Sequence, residues 1–193
     1  MASVVLSGDT SGTITVSAPA VSGSNTQTLV AATGTLAPLI SGTAVTASGT
    51  SVDFTSIPSW VKRITVMFSG VSTSGISPIL IQLGDSGGVE TTGYASSAVR
   101  VGASSSSYLT STAGLLVQES TIAASLYNGA ATILLIGSNN WAQTGFVSSP
   151  SASNSGNTGA GSKTLSDTLD RVRITTVNGT DTFDAGTINI LYE

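Results

Sequence analysis

Hydrophobic and polar positions alternate most cleanly between Val61 and Phe68. There Ile64, Val66 and Phe68 fall on one side of an extended chain and Arg63, Thr65 and Met67 on the other. That spacing predicts a strand with one buried face. Pro58 ahead of it cannot donate to a ladder and stiffens the approach, and Ser69-Gly70 opens a run of breakers expected to end it. Ile79, Ile81 and Leu83 alternate with Leu80 and Gln82 in the same manner, and Leu115-Leu116-Val117 and Thr132-Ile133-Leu134-Leu135-Ile136 are further core strands. Two short groups, Thr43–Thr46 and Ser51–Thr55, flank the glycine-containing Ala47-Ser48-Gly49-Thr50 and predict a hairpin. From Arg171 to Ile174 bases alternate with apolar residues. Asn178-Gly179 then signals a hairpin turn before Phe183 and a strand over Thr187–Tyr192. Helical spacing is confined to Leu115, Leu116, Ile122 and Leu126, too short a stretch to change the class. From Ser148 to Ser162 no core residue follows Val147, which predicts a long mobile loop. The whole reads as an all-β protein, an antiparallel β-sandwich of jelly-roll type over residues 41–193.

Residues 1–40 follow a different pattern. Val4-Val5-Leu6, Ile14-Thr15-Val16 and Thr28-Leu29-Val30 are very short apolar groups separated by Ser7-Gly8-Asp9, Ser17-Ala18-Pro19 and Gly23-Ser24-Asn25, with one acid and no base in the segment. Ordering a backbone costs roughly 1–2 kcal/mol per residue, more than such groups recover alone. An extended β arm is expected, held by identical copies or by a docking partner.

Composition sharpens this picture. Only 8% of the 193 residues are charged, while Ser and Thr number 33 and 28. A surface so poor in ions is either covered with hydroxyls or covered by other subunits. Six basic residues against ten acidic ones cannot line a phosphate-tracking groove, so nucleic-acid binding is not expected. Absence of cysteine excludes disulfides, thiolate catalysis and cysteine-ligated metals. MASVVLSGDT lacks the basic region of a signal peptide and no apolar run reaches membrane-spanning length, so neither secretion by that route nor membrane insertion is expected.

Candidate chemistry is sparse. Gly84-Asp85-Ser86-Gly87-Gly88 spells the surroundings of a serine-protease nucleophile, but the chain has no histidine to take the serine proton, and a turn after Leu83 is the expected reading. Lys62 and Lys163 leave a Ser-Lys pair formally open, with no spacing that favours it. Asp167 with Asp170, and Asp181 with Asp184, are the closest carboxylate pairs; neither resembles a calcium loop, and solvated turns explain them. Asn178-Gly179-Thr180 fits a glycosylation sequon but reads better as a turn. No catalytic residue, metal or cofactor is expected. Trp60 is read as a core or interface residue. Trp141 follows Ser138-Asn139-Asn140, where an exposed indole flanked by amides would stack on a sugar ring or pack against a neighbouring subunit. Asn139, Asn140 and Trp141 are therefore the candidate glycan or subunit contact.

These residues also carry a resemblance. SGDTSGTITVSAPAVSGSNTQTL and ATGTLA resemble the attachment segments of bacteriophage tail-fibre and related virion proteins. SGTSVDFTSIPSWVKRITVMFSGVST, IQLGDSGG and DRVRITTVNGTDTFDAGTINILYE are similar to a domain often found at the ends of such phage and prophage proteins. The resemblance spans about half of the chain. It implies a β-rich homotrimer in the virion, a tail-fibre or head-fibre appendage or a capsid decoration protein. Its partners would be itself, other virion proteins and host-surface glycan, and it brings no catalytic residues.

Overall fold

The computed structural model describes residues 3–7, 12–17, 37–102, 105–119, 122–123, 125–150 and 155–193. Contacts divide the chain into two units, Met1–Leu36 and Ala37–Glu193. In the first, Ser3–Ser7 (β1) pairs antiparallel with Thr13–Ser17 (β2), Val4 opposite Val16 and Leu6 opposite Ile14. A two-stranded ribbon has no second layer to cover its apolar groups. Accordingly Val5, Leu6 and Val16 are all more than half exposed. The third apolar group of the expected arm, Thr28-Leu29-Val30, lies outside the described residues.

The second unit is all-β and antiparallel, with no helix among the described residues. In chain order its strands begin with β3 (Ile40–Ser41), β4 (Val45–Thr46), β5 (Ser51–Phe54), β6 (Arg63–Thr73) and β7 (Ile79–Asp85). They continue with β8 (Gly88–Val89), β9 (Tyr94–Val101), β10 (Ser106–Ser111), β11 (Leu115–Leu116) and β12 (Tyr127–Gly137). Last come β13 (Asn140–Ser149), β14 (Ser155–Thr164), β15 (Arg171–Thr176) and β16 (Phe183–Tyr192). Nine of them form one sheet in the order β10-β9-β14-β13-β12-β6-β16-β3, with β4 also on β16. A five-stranded sheet has the order β11-β7-β15-β5, with β8 on β7.

The alternation in β6 does what its pattern predicts: Ile64, Val66 and Phe68 are buried. They meet Ile133, Ile188 and Ile190 of their own sheet and Val52, Ile81, Leu83, Val172 and Ile174 of the smaller sheet in one apolar cluster. The two sheets thus share a core in a sandwich-like arrangement. Every residue of β7 is buried, Leu80 on the far side packing into a second small cluster with Ala98 and Leu116.

Several sequence expectations are corrected. Ser69-Gly70 does not end β6. Gly70 adopts φ 62° and donates its N–H to Asn128 Oδ1 at 2.8 Å, while the registers to β12 and β16 both shift there. The breakers make a β-bulge that lets the strand run to Thr73. Residues 43–55 form no hairpin: β4 pairs with β16 in the large sheet and β5 with β15 in the small one. Both halves find longer partners, so the connection crosses the core. Asn178-Gly179 is a turn, Gly179 at φ 67° and Asn178 Oδ1 accepting the N–H groups of Thr180 and Asp181, but β15 and β16 on either side belong to different sheets. The helical spacing of Leu115 to Leu126 is not realised. Leu115 and Leu116 pair with Ile81 and Leu80 in a short buried strand, while Ile122 and Leu126 are exposed.

The largest correction concerns 148–162. β13 runs on to Ser149, and Ser155–Thr164 is a ten-residue strand paired with β13 on one side and β9 on the other. Small residues are required because β11 passes directly over it: a Cβ on Gly159 would overlap the carbonyl oxygen of Leu116. Strand formation here comes from two ladders and a glycine that makes room, without apolar alternation.

Candidate functional site

Successive residues of a strand point to opposite sides, so once the inner residues of the large sheet are fixed by the core its other face is fixed too. The registers then place side chains of seven strands in rows. One row runs Asn189, Met67, Ala130, Phe146, Thr158, Val99, Tyr108 across β16, β6, β12, β13, β14, β9 and β10. The next runs Leu191, Thr65, Thr132, Thr144, Ala160, Ser97, Thr110. Leu134, Ala142 and Ser162 begin a third beside Arg63. Among the outward residues of these strands the charged side chains are Arg63, ion-paired with Glu193, and Asp184 near the start of β16, hydrogen-bonded to Ser72. Phe146 is 58% exposed and Tyr108 76%. Leu134, Ile136, Val99 and Val101 are exposed on the same face.

Local chemistry explains how the aromatics sit. Phe146 lies against Gly156 of the neighbouring strand, where a Cβ would come within 2.9 Å of the ring Cζ. Ser148, Pro150 and Gly156 complete a shallow hollow of about 320 Å³ beside the ring. A second, wider groove of about 730 Å³ lies along β14, β9 and β10, lined by Ala95, Ser97, Thr110, Thr112 and Ala160. Both are walled by hydroxyls, methyls and backbone, without a carboxylate or an amine.

The residues singled out in the sequence lie elsewhere. Ser138 and Asn139 have φ values of 48° and 59°, and Gly137 pairs with Asn140, so they form the two-residue turn between β12 and β13 whose positive φ values suit the strand twist. Asn139 and Asn140 are half-buried, and the Asn139 carbonyl accepts the Leu165 N–H at 3.0 Å. Trp141, expected to present an exposed indole, is 3% exposed and belongs to the core cluster. It points inward because it pairs with Leu135 and Lys163 on the buried side of the sheet, so it cannot stack on a sugar. Trp60 is about one-third exposed, its ring 6.1 Å from that of Tyr192.

The Gly84–Gly88 segment is the hairpin between β7 and β8, with Asp85 opposite Gly88. Asp85 accepts the Gly87 N–H at 2.8 Å, and its other oxygen lies 2.7 Å from Ser166 Oγ. Ser166 also reaches Glu90, which is ion-paired with Lys163 at 2.5 Å. The Lys163 ammonium further donates to the Thr92 carbonyl and lies 5.2 Å from the Tyr94 ring centre. These contacts clamp a hairpin to the end of β14. Burial drives the Tyr94 phenol well above its ordinary pKa, and its hydroxyl is held between Leu83 and Glu90. Of the carboxylate pairs, Asp170 binds Arg171 and Asp181 binds Asn178 and the Ser77 N–H, while Asp184 is hydrogen-bonded to Ser72. No group of three or more metal-ligating side chains occurs among the described residues.

Sequence reading missed the sheet face because exposure of one side of a strand depends on partners far away in the chain. The available signal was Thr132–Ile136, apolar on both sides where one apolar side would have sufficed. No family model, curated protein or solved structure matches the chain.

Proposed function

We propose that this is a structural protein of a bacteriophage virion. It acts as a homotrimeric appendage subunit whose first forty residues dock on other virion proteins as an extended β arm. The jelly-roll-like sandwich of residues 41–193 projects outward and meets the host surface. The observation that carries the proposal is the broad, sparsely charged face of the nine-stranded sheet. Such a face has few ions, all near strand ends, to keep it solvated and alone, and its exposed Phe146, Tyr108 and Leu134 gain by being covered. The ribbon β1–β2 adds a second set of exposed apolar residues in a separate unit. The resemblance of both regions to phage attachment and terminal domains supports the virion among possible assemblies.

On this reading the protein works by non-covalent association, without catalysis, metal or cofactor. A capsid decoration protein would use the same surfaces and differ only in its station on the particle. Native mass spectrometry of the purified chain tests the assembly, with a trimer expected. Gold labelling of particles by an antibody to the chain tests the location. A protein that stays monomeric, or a label that never marks particles, overturns the proposal.

A further inference from the structure

We infer that the outer face of the nine-stranded sheet is where copies of this chain meet one another, with the row Met67, Ala130, Phe146, Val99 and Tyr108 at the centre of the contact. This rests on the assembly reading above and names the surface that assembly uses: round a three-fold axis three such faces meet as the sides of a prism, each shared between two neighbours.

Charge is the first argument. The body of the protein does carry ions, but β5 and β15 of the small sheet hold Asp53, Arg171 and Arg173, and the clamp holds Asp85, Glu90 and Lys163. The outward side of the large sheet has only Arg63 and Asp184, both near strand ends and both already bonded within the chain. An ordinary protein is about one-quarter charged overall, with those residues mostly at its surface, so docking one here would bury ions with nothing to pair them. A second copy presents the same sparsely charged face and carries no such cost.

Hydroxyl chemistry is the second. Thr65, Thr132 and Thr144 stand in register on three adjacent strands. A threonine hydroxyl both donates and accepts and turns to suit its neighbour, so two identical hydroxyl rows can satisfy each other where two rows of carboxylates, all acceptors, or of ammonium groups, all donors, cannot.

Size is the third. Seven strands at ~4.8 Å spacing and four outward rows at ~6.8 Å give a patch of about 29 by 20 Å, or roughly 600 Å² in projection. Side-chain relief enlarges it, bringing it close to the ~800 Å² per partner of a stable interface. Phe146, seated over Gly156, and Tyr108 supply the aromatic anchors such contacts favour.

Absence of native cysteine gives a clean test. Thr144→Cys places a single thiol in the middle of the face, and Ser86→Cys places one on the hairpin of the other sheet; both positions are exposed. Under mild oxidation, or with a short bis-maleimide, Thr144→Cys is expected to cross-link copies and Ser86→Cys to remain single. Thr144→Arg, with circular dichroism to verify the fold, is expected to reduce the light-scattering mass from the oligomer to 19.1 kDa. An oligomer that persists in Thr144→Arg while Ser86→Cys cross-links overturns this surface and leaves the assembly reading standing. A wild-type chain that is monomeric at its highest soluble concentration overturns both. A monomer that binds a neutral polysaccharide such as dextran, and loses it in Phe146→Ala, makes the face a glycan platform and overturns the contact between copies. Should Thr144→Arg misfold, the cross-linking comparison decides alone.

Discussion

Gly159 and Lys163 sit four residues apart on β14 and show two kinds of single-residue dependence. A methyl at Gly159 has backbone, not a movable side chain, in its way, so Gly159→Ala is expected to destabilise the fold by about 1–3 kcal/mol. Urea unfolding of the two proteins measures it, and equal midpoints would show that β11 does not press on β14. Lys163 is buried with its charge answered by Glu90, which is only partly solvated. Lys163→Met removes one partner and strands the other, a loss of about 3 kcal/mol, whereas the double change Lys163→Met with Glu90→Gln is expected to recover part of it in the same measurement. Neither role is visible in the sequence, where Gly159 lies in a run that looks like loop and Lys163 just past its end. Ile64, Val66 and Phe68 were legible because their periodicity is complete within eight residues. The side to which Trp141 turns was not, since it is set by Leu135 and Lys163 across two ladders.

At the level of elements, the β7–β8 hairpin is fastened by carboxylates, which makes it sensitive to acid. The Ser166 hydroxyl and then the Gly87 N–H hold the Asp85 carboxyl below its ordinary pKa. For Glu90 burial pushes upward, but the Lys163 ammonium and the Ser166 N–H and hydroxyl outweigh it, and the net shift is also downward. Groups depressed in the folded state add stability that is fully present above their unfolded values, near pH 4, and that is lost as pH falls through the folded ones. Thermal midpoints are therefore expected to be steady from pH 8 to 5 and to fall between pH 4 and 2, with a shallower fall in Asp85→Asn. An identical acid slope in that variant would remove Asp85 from the account. Strands with their own alternation were readable, as was the turn at Gly84–Gly88. Connections were not: 43–55 looks like a hairpin because local signals report a reversal of direction, and no local signal reports which sheet the chain then joins.

For the molecule as a whole, composition already told of a surface short of ions, and the fold adds where the shortage lies. Ions gather on the small sheet, the clamp and the turns, and hydroxyls and methyls spread over the large sheet. The candidate site was thus legible as a property and illegible as a place. The chain changes sheet at most of its connections, and β6 takes its two neighbours from residues 127–137 and 183–192. A ribosome adding roughly 5–20 residues per second leaves the first made strands waiting several seconds for the partner that completes them. Long-range pairing of this kind folds in milliseconds to seconds rather than microseconds, so stopped-flow refolding is expected to be slow, and a submillisecond phase carrying the full amplitude would contradict it. Nascent chains must pass that interval with Ile64, Val66 and Phe68 uncovered, which makes yield in the cell a matter of temperature and chaperone supply as much as of final stability.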